Sequence, residues 1–283
     1  MGRIRFGTSS WSEKGWVGSF YPPGTAPRDF LSDYATRFDT VEADNTYYAV
    51  PRPELVRGWD RKTPEGFTLS AKFPRSIVHG GEGPRPDPER VLDPERTAAD
   101  RDAFLEAMAL LGPKCGPLVL QFPYFNRRVF PGPGPFLERL DAFLAGLPGD
   151  FRYAVEVRND AWVDAELTGL LRRHGAALVL VELPYAAFPW RIAERIDVLT
   201  ADFAYARLIG DRKATGALTR TFDRVVIDRS GRLERWADLI VGVAARATEV
   251  FAYANNHYAG HAPATIRELA ERVAARAGEE RSQ

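Results

Sequence analysis

The amino-acid sequence predicts an α/β fold: a single (β/α)8 TIM-type barrel domain spanning residues 1–283. Three observations carry the prediction. Eight short apolar runs rich in Val, Leu, Phe and Tyr recur along the chain. Helix-like segments separate most of them, and no glycine-rich dinucleotide fingerprint follows any of them. Strands alternating with helices imply a parallel sheet, and a count of eight favours a closed barrel over an open doubly wound sheet. A chain of 283 residues can form such a barrel as one domain and bury its core without disulfide or metal staples.

The elements follow in order. "IRFGTSSW" (4–11) is the first strand, followed by a long aromatic-rich connection (12–28) and a helix over 28–37. "TVEADNTYY" (40–48) precedes a helix over 53–62. "FTLSAKFP" (67–74) opens a second long connection (75–93) and a helix over 94–111, with Pro94 marking its start and Gly112 its stop. "PLVLQFP" (117–123) precedes a helix over 135–147, and "RYAVEVR" (152–158) one over 164–174, begun by Asp164 and stopped by Gly175. After "AALVLVEL" (176–183), the segment 184–201 is too short and Pro-rich for a full helix. "FAYARLIG" (203–210) leads into a third long connection (211–230) and a helix over 231–247, and "EVFAYANN" (249–256) into a last helix over 262–277. All three long connections follow strands, so in a barrel they share the end that carries chemistry.

Composition narrows the partners. Lys and Arg number 38 and Asp and Glu 38, so no global field draws in nucleic acid or an anionic membrane. Nothing resembles a signal peptide or a transmembrane span. The single cysteine, Cys115, has no partner for an internal disulfide and reads as a buried structural thiol. A cytoplasmic location without membrane contact is the expectation.

Candidate site residues come from the strand period of two. In "YAVEVR" the large Tyr153, Val155 and Val157 suit the helix side, leaving Ala154, Glu156 and Arg158 to point into the barrel. The same parity turns Glu42, Asp44, Ser70, Lys72 and Gln121 inward, while Tyr205 and Arg207 share a face that parity alone does not identify. Of Asn255 and Asn256, one must point each way. In each strand the polar residues fall in the second half, which places them at the C-terminal mouth. There Glu42, Asp44 and Glu156 come within reach of Lys72, Arg158 and Arg207. Buried charges cost desolvation that apolar residues avoid, so such a cluster points to a site. The competing reading is a self-satisfied ion-pair plug.

Several motifs also resemble the family known as domain of unknown function 72, or YecE-like. They are "GTSSW" (7–11), "FYPPG" (20–24), "VEADNTYY" (41–48), "AKFPR" (71–75), "LVLQFP" (118–123), "VEVRNDAW" (155–162), "YARLIG" (205–210) and "YANNHYAGHAPATI" (253–266). The resemblance spans nearly the whole chain and implies a (β/α)8 barrel. It supplies no activity. Asp44 departs from the Glu-x-Asn pattern associated with the second motif, adding a negative charge.

The chemistry expected is an enzyme of hydrolase or lyase type acting at the barrel mouth on a phosphate-bearing sugar or nucleic-acid substrate. Glu42 and Glu156 are the expected acid–base pair. Lys72 is a third catalytic candidate, either as a Schiff-base lysine or, more simply, as an ion-pair partner. Trp11, Asp44, Gln121, Arg158, Arg207, Asn255, Asn256 and His257 are expected to bind substrate. Phosphate would be held by Arg207 and by backbone N–H groups of "IGDRK" (209–213) and the loop before the last helix. Glu182 is a further carboxylate of ambiguous parity. No cofactor motif is visible, and a divalent ion held by Glu42, Asp44, Glu156 and His257 is a weaker reading. The alternative function is a non-catalytic nucleic-acid or metabolite binding protein, with Arg127, Arg128 and the basic connection 211–230 lining a groove.

Overall fold

The computed structural model describes residues 1–81 and 83–281. Eight parallel strands form its centre: β1 (Arg3–Thr8), β2 (Thr40–Ala43), β3 (Thr68–Lys72), β4 (Cys115–Gln121), β5 (Tyr153–Glu156), β6 (Ala177–Glu182), β7 (Phe203–Leu208) and β8 (Glu249–Ala254). The helices are α1 (Phe30–Tyr34), α2 (Pro53–Lys62), α3 (Arg75–Val78), α4 (Ala98–Ala109), α5 (Pro133–Ala145), α6 (Ala165–Arg173), α7 (Pro189–Ala193), α8 (Arg212–Leu218), α9 (Ser230–Ala244), α10 (Asn256–Ala259) and α11 (Ala262–Arg281).

The strands run in the order β1-β8-β7-β6-β5-β4-β3-β2, so the chain forms a nearly closed barrel in one domain. Among the described residues only the β1–β2 seam lacks a ladder. A side chain bridges it instead: the Tyr34 hydroxyl of α1 accepts from Thr8 N at 2.8 Å and donates to Thr40 O at 3.1 Å. Gly7 permits the approach, since a Cβ there would lie 2.3 Å from Thr40 O.

Strand alternation divides the core in two. Val119, Ala154, Ala177, Val179, Tyr205, Phe251 and Tyr253 fill the barrel axis. Tyr153, Val155, Val157, Leu178 and Leu180 pack outward with the helices. The face left open for Tyr205 and Arg207 is therefore the interior. At the N-terminal end Arg5, Arg152 and Glu249 form an ion-pair plug, with Arg152 Nη1 to Glu249 Oε2 at 2.6 Å. Polar space remains at the other end.

Differences from the expected elements have local causes. The fourth helix begins at Ala98 rather than residue 94, because the Asp93 side chain accepts from Arg96 N at 2.8 Å and makes a turn first. The first helix shrinks to Phe30–Tyr34, entered by a 3-10 turn at Pro27–Asp29. The short sixth connection does keep only the five-residue α7. Asp164 caps α6 by accepting from Glu166 N and Leu167 N at 3.0 Å, and Gly175, at φ 58°, ends it. Cys115 is half-buried rather than buried, and its surroundings push the thiol up to about 12. Among the described residues no helix is long and apolar enough to cross a membrane.

Candidate active site at the C-terminal mouth

The mouth is built in layers, because successive inward residues on each strand stand higher along the axis. Tyr253 places its hydroxyl 2.7 Å from Thr40 Oγ1 and 2.9 Å from Ser70 Oγ. Tyr205 donates to Glu42 Oε2 at 2.8 Å. Next comes Arg207, which binds Glu42 Oε1 through Nη2 at 2.9 Å and Gln121 Oε1 through Nη1 at 2.8 Å, and also pairs with Glu156. Arg158 Nε holds the other oxygen of Glu156 at 3.0 Å. Lys72 pairs with Asp44 and lies 3.4 Å from Glu42 Oε1. Each charge in the cluster thus meets an opposite charge, as the strand parity predicts.

Above this layer opens a cavity of ≈ 660 Å³. Lys72, Gln121 and Arg207 form its floor, with Asp44, Arg158, Asn255 and His257 beside them. Tyr47, Tyr48, Tyr185 and the connection 209–213 complete the wall. A larger groove, ≈ 740 Å³, runs between α7 and α9 on the outer flank. It contains none of the buried charge that a site must organise, so the mouth is the chemical candidate.

Glu42 and Glu156 do not reach the cavity. Both side chains are fully buried, at 0% exposure, beneath Arg207, whereas Asp44 keeps 33% of its side chain exposed. Electrostatics separates them further. Burial alone would raise the Glu42 carboxyl, but Arg207 and then Lys72 outweigh it and hold it at about 2. Glu156 is lowered in the same way: burial is overcome by Arg207, Arg158 and Lys72. Asp44 goes the other way. Its partial burial raises it, Lys72 opposes, and the neighbouring Glu42 carboxylate adds to the rise. Burial disfavours the Arg207 cation, but Glu156, Glu42 and Asp44 more than restore it. Arg207 Nε is left buried without a partner among the described residues, as is His257 Nδ1.

The other expected site residues divide. Asn255 lines the cavity while its Oδ1 accepts from His257 N at 3.0 Å. Asn256 turns away, accepting from Trp16 Nε1 at 3.1 Å and Ala262 N at 3.0 Å. Trp11 is absent from the mouth and packs edge-on against Trp59 at 5.6 Å. Glu182 faces the helix layer, held by Arg232 at 2.6 Å, Trp236 Nε1 at 2.8 Å and the Tyr258 hydroxyl at 3.0 Å. Of the loop aromatics, Trp16, Phe20, Tyr21, Phe125 and Phe130 are core.

Helix N-termini near the mouth have their N–H groups engaged by the protein itself. Asp211 Oδ1 accepts from Lys213 N at 2.8 Å and Ala214 N at 3.0 Å, and His261 Nδ1 accepts from Ala264 N at 3.2 Å. The expected backbone cup for phosphate is therefore occupied, and an anion in this cavity would be gripped by side chains. Among the described residues no three His, Cys, Asp or Glu side chains converge as a metal site. Glu42, Asp44 and Glu156 each face a cation instead.

Fold and site define the class: a (β/α)8 barrel protein with an ion-paired, cation-floored C-terminal mouth. The chain belongs to the family described as Protein of unknown function DUF72, whose model matches residues 5–283. A DUF72 family protein of Thermotoga maritima is 26% identical, with 95% of this chain and 98% of that one covered and a TM-score of 0.68. Another, from Enterococcus faecalis, shows the same fold at 21% identity, covering 95% of each chain with a TM-score of 0.69. UPF0759 protein YecE of Escherichia coli K12 is 34% identical over 157 residues, 55% of this chain and 48% of that protein. The chain thus spans about half the length of that relative.

Proposed function

We propose that the barrel mouth is the active site of an enzyme, of hydrolase or lyase type, whose substrate is a small polar anion. The observation that carries this reading is the placement of two carboxylates two residues apart: Asp44 opens onto the cavity with a third of its side chain exposed, while Glu42 is sealed beneath Arg207. Glu42 is held at about 2 while Asp44 is raised. Neighbouring acids pushed in opposite directions are the pattern of a fixed charge beside a proton-transfer group. Asp44, at the cavity wall, is the proton-transfer residue. Glu42 and Glu156, held ionised beneath the floor, orient Lys72, Arg158 and Arg207 rather than exchange protons with substrate. The three cations, together with the unpartnered Arg207 Nε, bind the anionic group and stabilise charge that develops on it. Gln121, Asn255 and His257 orient the rest of the ligand. Lys72, paired with both Glu42 and Asp44, fits charge stabilisation better than Schiff-base formation.

The reading is tested by a thermal-shift panel of phosphorylated and carboxylated metabolites on the wild-type protein and on Arg158→Ala. Anion binding to the native state raises the melting temperature by mass action. The expected result is a shift with phosphorylated or carboxylated compounds that Arg158→Ala abolishes. Shifts equal in both proteins, or none with any anion, would remove the proposal.

A further inference from the structure

The exposed tyrosines of this protein are not scattered. Of its ten tyrosines, only Tyr48, Tyr124 and Tyr185 are mostly exposed, at 68%, 61% and 59%. They stand on the connections after β2, β4 and β6, all at the C-terminal end. Tyr48 and Tyr185 line the cavity itself. Strands β2 and β6 lie four places apart in a ring of eight, so these two side chains rise from opposite sides of the mouth. Between them lie Lys72, Arg158 and Arg207, with Arg212 and Lys213 at the edge.

An exposed phenol ring beside a polar cavity leaves apolar surface in water unless a ligand covers it. Flat rings stack on such platforms without needing sequence-specific hydrogen bonds. A platform on each side and cations between them match a ligand with a ring at each end and an anion in the middle. We propose that the mouth binds a dinucleotide, two nucleosides joined through a phosphate, with the phosphate over Arg158 and Arg207 and one base on each of Tyr48 and Tyr185. This deepens the anion-site reading above and rests on it. The cavity of ≈ 660 Å³ falls within the usual range for ligand sites, roughly 300–1,000 Å³. A sugar phosphate would satisfy the cations and leave both rings bare. A mononucleotide would cover one.

The experiment is isothermal titration of inorganic phosphate, ribose 5-phosphate, AMP and the adenylyl dinucleotide pApA into wild type, Tyr48→Ala, Tyr185→Ala and Arg158→Ala. Both tyrosines are exposed, so their removal leaves the fold intact, which the melting temperature verifies. Affinity is expected to rise in the order given. Each tyrosine substitution should weaken pApA roughly five- to 150-fold, the range for losing one base–aromatic stack, and leave ribose 5-phosphate unchanged. Arg158→Ala should weaken every phosphorylated probe. A dinucleotide no tighter than AMP, or indifferent to either tyrosine, overturns the dinucleotide while the anion site still stands on the Arg158→Ala result. If none of the four probes binds, the dinucleotide is overturned, and the anion site then stands or falls on the carboxylated compounds of the thermal-shift panel.

Discussion

Replacing Glu42 by Gln removes one charge and almost no volume from a fully buried position. Its effect can be worked from the structure. An ordinary glutamate titrates near 4.5 and Glu42 is held at about 2. That difference corresponds to about 3 kcal/mol of folding stability at pH 7. Because the folded-state value is depressed, the contribution is fully present above pH 4.5 and is lost as pH falls toward 2. Glutamine keeps an acceptor for Arg207 but leaves Arg207 and Lys72 short of negative charge. The expected loss agrees with the roughly 3–5 kcal/mol typical of breaking a buried ion pair. Urea unfolding followed by tryptophan fluorescence, run on both proteins at pH 7, 5, 4 and 3, measures it. The gap between wild type and Glu42→Gln should be about 3 kcal/mol at pH 7 and shrink to roughly half of that at pH 3. A gap below about 1 kcal/mol at pH 7, or one that stays constant with pH, would refute the assignment of Glu42 as a fixed, ionised counter-charge.

Asp44 should behave with the opposite sign. Its raised proton affinity means the charged form is disfavoured in the folded state, so Asp44→Asn should melt at or above the wild-type temperature at pH 7 while losing turnover of any substrate found; a clear fall in melting temperature would contradict it. Tyr34→Phe deletes the hydroxyl that bridges Thr8 and Thr40. With the Thr8 N–H and the Thr40 carbonyl left unsatisfied, the cost should be about 1–3 kcal/mol, and hydrogen exchange should quicken in β1 before β4 or β5.

Much of this was legible in the sequence. A period of two assigns a face, so Glu42, Lys72, Gln121, Glu156 and Arg158 could be placed inside the barrel from strand parity, whereas Tyr205 and Arg207 could not. Parity does not assign height. Strand β2 ends at Ala43, so Asp44 already lies on the turn above it, and this one step decides which acid meets the cavity and which is sealed beneath Arg207. Asn256 and Trp11 were out of reach for a different reason. Both sit beyond strand ends, where the direction of a side chain depends on which N–H groups and rings the loop brings near. The exposed Tyr48 and Tyr185 carried no sequence signal that set them apart from Trp16 or Tyr21, since only packing separates an aromatic that covers the core from one left facing solvent. The late start of α4 came from local turn chemistry at Asp93 overriding the proline as a helix start.

The unladdered seam has a temporal consequence. Strand β1 finds its backbone partner only in β8, with Arg3 beside Glu249 and Thr8 beside Ala254. The opening strand of the barrel therefore has nothing to zip onto until the last one has been synthesised. Every other strand pairs with a neighbour in the chain and can add as it emerges from the ribosome. Strand β1 must wait for its ladder, held beside β2 until then by the Tyr34 hydroxyl and by the pairs that Arg3 and Arg5 make with Asp39.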